Sequence, residues 1–272
     1  MLGGMSASGG VRAPKKRSKP KGKTCISTSA ETSFPAGPGV KVGDVDIIGT
    51  SDFSFCFWYK RPSGLGAFTT SGQNPRLFAQ AASKSNVAAL AVGEVSGVTG
   101  SCLEFKVTIS NSDIIQLQSN THGMSLDTWH HIAVVCDRSS ASDSKIYVDG
   151  VALTMETQTM DSSTDIDLGG DFTLGYNGAT SGSHGGLYKD WMFYSRVLEP
   201  KDISKIYDHK GRQRLSSISQ LKTDLEFYLP LGDVSGDHAT NLGALQDISG
   251  NDRHGTGIEA SGTIIIGSDS PS

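Results

Sequence analysis

Apolar and polar positions alternate with a period of two in one short stretch of this chain after another. In FSFCFWYKRP, Phe53, Phe55, Phe57 and Tyr59 fall on one phase and Ser54, Cys56 and Trp58 on the other, the pattern of a strand with one aromatic face. PRLFAQA (75–81), VAALAVG (87–93), CLEFKVTI (102–109), DIIQLQS (113–119), WHHIAVVC (129–136), KIYVDG (145–150), DFTLGY (171–176) and GLYKDWMFYSR (186–196) are the further strand candidates. Gly, Ser, Asn and Asp turns separate them at intervals of about 8–15 residues, which predicts a sandwich or jelly roll. Asp149-Gly150 closes the WHHIAVVC and KIYVDG pair as a tight hairpin turn. One segment breaks the period. VLEPKDISKIYDHKG (197–211) has Pro200 in its first turn, Lys205 and Lys210 late and Gly211 to stop it, a short helix.

Composition supports an all-β chain: 33 glycines in 272 residues and only 19% charged side chains suit strands and turns. No apolar run reaches the roughly 18 residues a membrane span needs, and MLGGMSASGG lacks the apolar core of a signal peptide. The expectation is a chain with no membrane segment and no export signal. Cys25, Cys56, Cys102 and Cys136 form no CxxC pair, so zinc is disfavoured and all four are expected to be reduced.

Charge divides the chain. Arg12, Lys15, Lys16, Arg17, Lys19, Lys21 and Lys23 give residues 1–24 a charge of +7 with no acidic residue, which leaves −11 on the remainder. A Pro/Gly/Lys segment buries too little apolar surface to fold alone, so residues 1–39 are expected to be an extended basic arm and linker that anchors the chain to a partner.

FSFCFWYKRP, TWHHIAVVCDR, KIYVDGVAL, FTLGY and GGLYKDWMFYSRVLEPKDISKIY stand in an order and spacing that resembles the laminin-G-like jelly roll of the concanavalin-A-like lectin/glucanase superfamily, over residues 45–208. The resemblance implies two curved antiparallel sheets packed face to face, in a domain spanning 40–210. It also implies that the Trp-His-His strand is framework, with His130 and His131 as packing residues. One segment departs from the family order. LEFYLPLGD (225–233) and DISGNDRHGT (247–256) are similar to the family's opening strand and turn, yet here they follow the domain, in a C-terminal extension of residues 211–272. Such a strand has an apolar face that must be covered, by its own domain or by a neighbouring subunit.

Catalytic signals are sparse. The Glu-x-Asp-x-x-Glu string of the related glucanases does not occur, the seven glutamates are scattered, and there is no GxSxG, HExxH or P-loop. The expectation is a non-enzyme. Calcium is the one metal to weigh, because Asp161, Asp165, Asp167 and Asp171 fall within eleven residues in DSSTDIDLGGD. That string fails the EF-hand pattern, and clustered Asp and Gly also make turns. Nucleic acid is a disfavoured partner, since the arm has no aromatic residue for base stacking and the body is acidic.

These features together point to a non-catalytic structural protein of a virus or bacteriophage particle, a capsid decoration or fibre, made in the host cytoplasm. It would display a lectin-like domain and be anchored in multiple copies by its arm to other capsid or tail proteins. A tail adhesin or an extracellular carbohydrate-binding lectin is the alternative, with a host-surface glycan as ligand; a glycan hydrolase ranks last.

Overall fold

A computed structural model describes residues 25–28, 39–43, 49–65, 76–81, 83, 85–95, 98–175, 185–209, 219–231, 245–258 and 265–267. The strands in chain order are β1 (Cys25–Thr28), β2 (Gly39–Val42), β3 (Phe53–Lys60), β4 (Arg76–Ala81), β5 (Val87–Val95) and β6 (Val98–Ile109). They continue with β7 (Ser112–Ser119), β8 (Trp129–Cys136), β9 (Lys145–Val148), β10 (Val151–Ala152), β11 (Met155–Met160), β12 (Phe172–Leu174) and β13 (Gly186–Tyr194). After helix α1 (Pro200–His209) come β14 (Leu225–Leu229), β15 (Thr256–Ile258) and β16 (Ile265–Gly267).

They form two antiparallel sheets. Sheet A has the order β10-β9-β8-β3-β13-β1-β16, with β14 also paired to β13; sheet B has the order β11-β7-β6-β5-β4-β12-β2-β15. The expected jelly-roll sandwich is the observed fold. Its interior takes one phase of each strand: Phe53, Phe55, Phe57 and Tyr59 from β3 meet Phe78, Leu90, Leu103, Phe105 and Phe172 from sheet B. Aromatic rings fill the gap, with Phe55 on Phe78 at 4.4 Å between centroids and Trp191 edge-on to Phe227 at 4.9 Å.

Sheet A is also covered on its outer side, so the polar phase of β3 is not a solvent phase. Cys56, Ala133, Val135, Met192 and Tyr194 pack beneath Ile203 and Ile206 of α1 and beneath Leu221, Leu225 and Tyr228 of the C-terminal extension. This is why seven consecutive residues of β3 are buried, where the alternation alone predicts one buried face and one wet one. Cys56, Cys102 and Cys136 are buried thiols, not disulfides, and burial raises the Cys56 and Cys136 thiols far above their ordinary range.

The displaced strand joins its own chain. β14 pairs antiparallel with β13, Leu229 opposite Trp191 and Phe227 opposite Phe193. β13 thus gives one edge to β3 and splits the other, with its first residues paired to β1 and its last to β14. A bulge between Lys189 and Met192 separates the two halves. Asp190 there has φ of +52°, an uncommon region for a non-glycine residue. It is held by its N–H to the Pro230 carbonyl (3.2 Å) and by the Tyr228 hydroxyl, which donates to its carboxylate at 2.8 Å. The 247–256 turn clamps the other side of β14: Asp247 accepts the Tyr228 N–H at 2.8 Å, and Asn251 donates to the Leu225 carbonyl at 2.8 Å.

Several strands lie where the sequence offers no clear pattern. β1 falls inside the Ser/Thr-rich expected linker, and β11, with sequence METQTM, is a half-exposed edge strand. β15 adds to β2 at the edge of sheet B. The anchoring candidates Arg12, Lys15, Lys16, Arg17, Lys19, Lys21 and Lys23 lie outside the described residues.

Truncation after Ser217 removes β14 and uncovers Trp191, Phe193 and Tyr194. Five buried side chains leave with it (Leu225, Phe227, Tyr228, Leu229 and Leu231), and at about 1.5–3 kcal/mol each that approaches the stability of a whole domain. The truncated chain is expected to show no cooperative urea unfolding, and Phe227→Ala to lose about 3–5 kcal/mol. An unchanged midpoint in both would mean that β14 is dispensable to the fold.

Candidate functional site

The paired histidines serve the β8–β9 hairpin. Asp149 and Gly150 both have positive φ, +52° and +79°, as a type I′ turn requires. The Asp149 carboxylate accepts the His131 N–H at 2.9 Å and the His130 Nδ1–H at 2.7 Å. His130 Nε2 in turn accepts the Ser125 backbone N–H at 2.9 Å, with the Ser125 hydroxyl 3.3 Å away. Ser125, His130 and Asp149 therefore stand in the order of a hydrolytic relay, but the Nε2 lone pair that would take a serine proton already holds a backbone N–H. The arrangement ties the 122–130 loop to the hairpin. Burial alone would raise the Asp149 carboxyl; the hydrogen bonds from His130 and His131 outweigh it and hold it below its ordinary value. His131 is fully buried against Trp58 (5.3 Å) and Tyr207 (6.3 Å) with no hydrogen bond to its ring, and burial lowers it to about 4.

The acidic loop is organised around a guanidinium. Arg138, 3% exposed, donates to the carbonyls of Gly49 (3.0 Å), Asp161 (2.8 Å) and Thr164 (2.7 Å), and its backbone N–H to Asp52 (2.7 Å). Carbonyls of this kind are what a calcium ion would seek; here they already face a cation. The Asp161 carboxylate closes its own turn, accepting from the Ser163 and Thr164 hydroxyls at 2.7 and 2.6 Å, and these bonds hold it well below the usual carboxylate range. Asp171 pairs with Lys41 at 2.6 Å. Asp165 and Asp167 flank Ile166, which bridges to Gly49. The four aspartates are not brought together, and among the described residues no group of three or more His, Cys, Asp or Glu side chains is placed to hold a metal. The residues do not fit a calcium ion.

A recess opens on the outer face of sheet B. Its volume is about 270 Å3, and it is lined by Arg76, Val87, Ala89, Ala91, Glu104, Lys106 and Thr108. Register builds it. Ala91 lies between Arg76 on β4 and Glu104 on β6, Ala89 opposite Lys106, and Val87 opposite Thr108. Small side chains on β5 make a floor, with Ala79 beside them, and long polar ones from the neighbouring strands stand over it. The walls are tied together: Gln116 donates to Glu104 at 2.9 Å, and Asp113 takes the Lys106 ammonium at 2.7 Å and the Thr108 hydroxyl at 3.1 Å. Burial draws the Arg76 guanidinium below its ordinary value.

The alternation in VAALAVG and CLEFKVTI places Val87, Ala89 and Ala91 on one phase of β5 and Glu104, Lys106 and Thr108 on the polar phase of β6. That small phase against a polar phase is the signal for the recess, but only the register shows that the two are neighbours.

A laminin G family model, described as the concanavalin A-like lectin/glucanases superfamily, matches residues 34–204. Among solved structures, the fold is similar to that of a native heptameric SAP-like pentraxin from Limulus polyphemus, at 13% identity and TM-score 0.53, covering 92% of this chain and 96% of that one. It is also similar to that of a Bacteroides ovatus protein named as a candidate carbohydrate binding protein. That match has 13% identity and TM-score 0.57, and covers 92% of this chain and 62% of the other, so the chain spans under two thirds of that protein's length. No curated protein matches the chain in sequence.

Two outcomes are expected. Arg138→Met strands three carbonyls and should cost on the order of 3 kcal/mol, while a chelator leaves the melting temperature of the unsubstituted chain unchanged; a chelator-sensitive melt would show that a metal, not Arg138, holds the loop. His131 stays neutral in the folded chain down to about pH 4, whereas the unfolded chain protonates it near 6.5. Its contribution is complete above about pH 6.5 and lost as pH falls toward 4, by about 3 kcal/mol at most. His131→Phe should therefore flatten the fall in unfolding free energy over that window, and an unaltered slope would assign the acid sensitivity elsewhere.

Proposed function

The chain belongs to the concanavalin A-like lectin/glucanases superfamily, and on that premise we propose that it is a non-catalytic sugar-binding module whose binding surface is the sheet B recess. The recess itself carries the reading. The sandwich interior is filled with packed apolar side chains, and the outer face of sheet A lies under α1 and the C-terminal extension. On sheet B, by contrast, an apolar floor with convergent polar walls stands open, the usual make-up of a ligand site. Its volume of about 270 Å3 falls just under the roughly 300–1,000 Å3 of typical ligand pockets, room for a sugar ring more than for an extended segment.

The carboxylates support binding without cleavage. Glycoside hydrolysis needs two, about 5–10 Å apart across the scissile bond, and Glu104 is the one carboxylate among the described residues lining the recess. Its oxygen accepts the Gln116 amide, the role of a wall residue that receives and orients hydrogen bonds.

The finer reading is a module carried on a larger assembly of the virion type, held by its basic arm. The charge division supports it: a +7 arm ahead of a −11 body gives the arm an electrostatic preference for an acidic partner surface, one that weakens as salt shortens the Debye length from about 10 Å at 0.1 M.

A glycan-binding screen of the full chain tests both parts. Ala89→Trp, which fills the recess, should abolish sugar binding with the melting temperature nearly unchanged. Deletion of residues 1–24 should leave sugar binding intact and remove salt-sensitive attachment to the assembly. Release of reducing ends from any bound polysaccharide would overturn the non-catalytic reading, and retained attachment of the truncated chain would sink the anchoring role.

A further inference from the structure

We propose that the docking of α1 is acid-sensitive: protonation of His131 lifts the end of the helix, with Tyr207, off sheet A while both sheets stay folded.

The enclosure of His131 carries it. On the outer face of sheet A, His131 of β8 stands opposite Trp58 of β3, and Trp58 opposite Lys189 of β13, one row across three strands. All three side chains are buried. α1 supplies the lid. The Tyr207 ring stacks on Trp58 at 5.6 Å between centroids and lies 6.3 Å from the His131 ring. It also seats on the β8–β9 turn, where a Cβ at Gly150 would meet it at 3.3 Å. Tyr207 itself is only half-buried, so lifting it brings water to the imidazole.

Inside the enclosure nothing can receive an added proton. Neither ring nitrogen of His131 has a hydrogen-bond partner, and an imidazolium there would present two unmet donors and a charge. From the turn, Asp149 favours the charged ring, but its two oxygens already accept the His131 backbone N–H and the His130 ring. His130, on the opposite phase of β8, is engaged by Ser125 and Asp149. β3 contributes the uncharged ring of Trp58. From β13, Lys189 brings a cation and no acceptor, and its Nζ is also without a hydrogen bond. From α1, Asp208 acts on Tyr207 and is exposed.

The proton therefore binds the open form better than the closed one. Burial holds His131 down to about 4, whereas a ring in water protonates near 6.5. With those two values the ratio of open to closed forms rises about thirtyfold from pH 7.5 to pH 5. The end of the helix is the part that answers locally. Ile203 and Ile206 are anchored in the apolar layer on sheet A, while Tyr207, Asp208 and His209 close α1, and element ends open at least cost. The sandwich interior is built of apolar and aromatic side chains, so the sheets hold.

The test is residue-resolved amide exchange by NMR on the full chain at pH 7.5 and pH 5, corrected for the intrinsic pH dependence of exchange. Protection at Tyr207, Asp208 and His209 is expected to fall about thirtyfold while that of β3 is unchanged. His131→Phe and His131→Gln, neither of which titrates, should each remove most of the fall. An NMR titration of the imidazole should also show the His131 midpoint move from about 4 toward about 6.5 in Tyr207→Ala, with a thermal melt confirming that each variant is folded. Unchanged protection of α1 would overturn the proposal. An equal loss in α1 and β3 would make the event global, and a fall that persists in both His131 variants would assign it to other groups; either result overturns it. A His131 midpoint that stays near 4 in Tyr207→Ala would show that Tyr207 is not the lid, with the same consequence.

Discussion

Strand β13 must be buried on both faces and paired along both edges, and most of the architecture follows from that demand. Its inward phase, with Tyr188, Trp191 and Phe193, belongs to the sandwich core, and its outward phase, with Met192 and Tyr194, belongs to the layer beneath α1. One edge has β3 for its whole length, but no single segment completes the other. β1 covers the first part and β14 the last, and the bulge at Asp190 lets one strand serve two partners whose lines do not coincide. The positive φ there is a local cost, of the kind tolerated when surrounding bonds over-determine a residue. Pro230 and Tyr228 supply those bonds from β14 and its C-terminal flank. The C-terminal extension is therefore part of the sandwich.

The same layering bears on the proposed ligand site. The helix and extension cover the outside of sheet A, and among the described residues the outside of sheet B carries the open recess. There β5 carries alanine at successive outward positions while β6 carries Glu104, Lys106 and Thr108. Had β5 borne large residues on that phase, the face would be a flat apolar patch prone to association. Alanines lower the floor and let the polar side chains of β4 and β6 rise as walls.

Polar residues that look like chemistry in the sequence are used as internal clips. His130 fastens a loop to the Asp149 turn, and Arg138 gathers two carbonyls of the acidic loop and the carbonyl of Gly49. Each satisfies backbone groups that would otherwise be buried without partners, at a cost that mounts quickly with their number. A permanent organic cation within the acidic loop also means that the loop's carbonyl geometry is already committed before any metal could enter it.

What the sequence determined by itself is the set of strands with strong alternation, the helix that starts at Pro200 and the sandwich class; the framework role of the Trp-His-His strand was implied by the family resemblance. Period-two patterning and the Asp149-Gly150 turn are local properties, encoded in contiguous residues. It also supplied the raw pattern of the recess, a small phase in VAALAVG and a polar phase in CLEFKVTI. What it did not determine was anything dependent on pairing between distant segments. METQTM forms a strand because β7 offers an edge to it, and Cys25–Thr28 because β13 and β16 do. The outward phase of β3 is buried because residues some 150 to 170 positions later cover it. The aspartates lie close in sequence, yet Asp161 closes its own turn with Ser163 and Thr164 while Asp171 pairs with Lys41, and the nearby carbonyls of Asp161 and Thr164 are taken by Arg138. Neighbourhood across a sheet is set by register, and register is decided only when both faces of the sandwich find their cover.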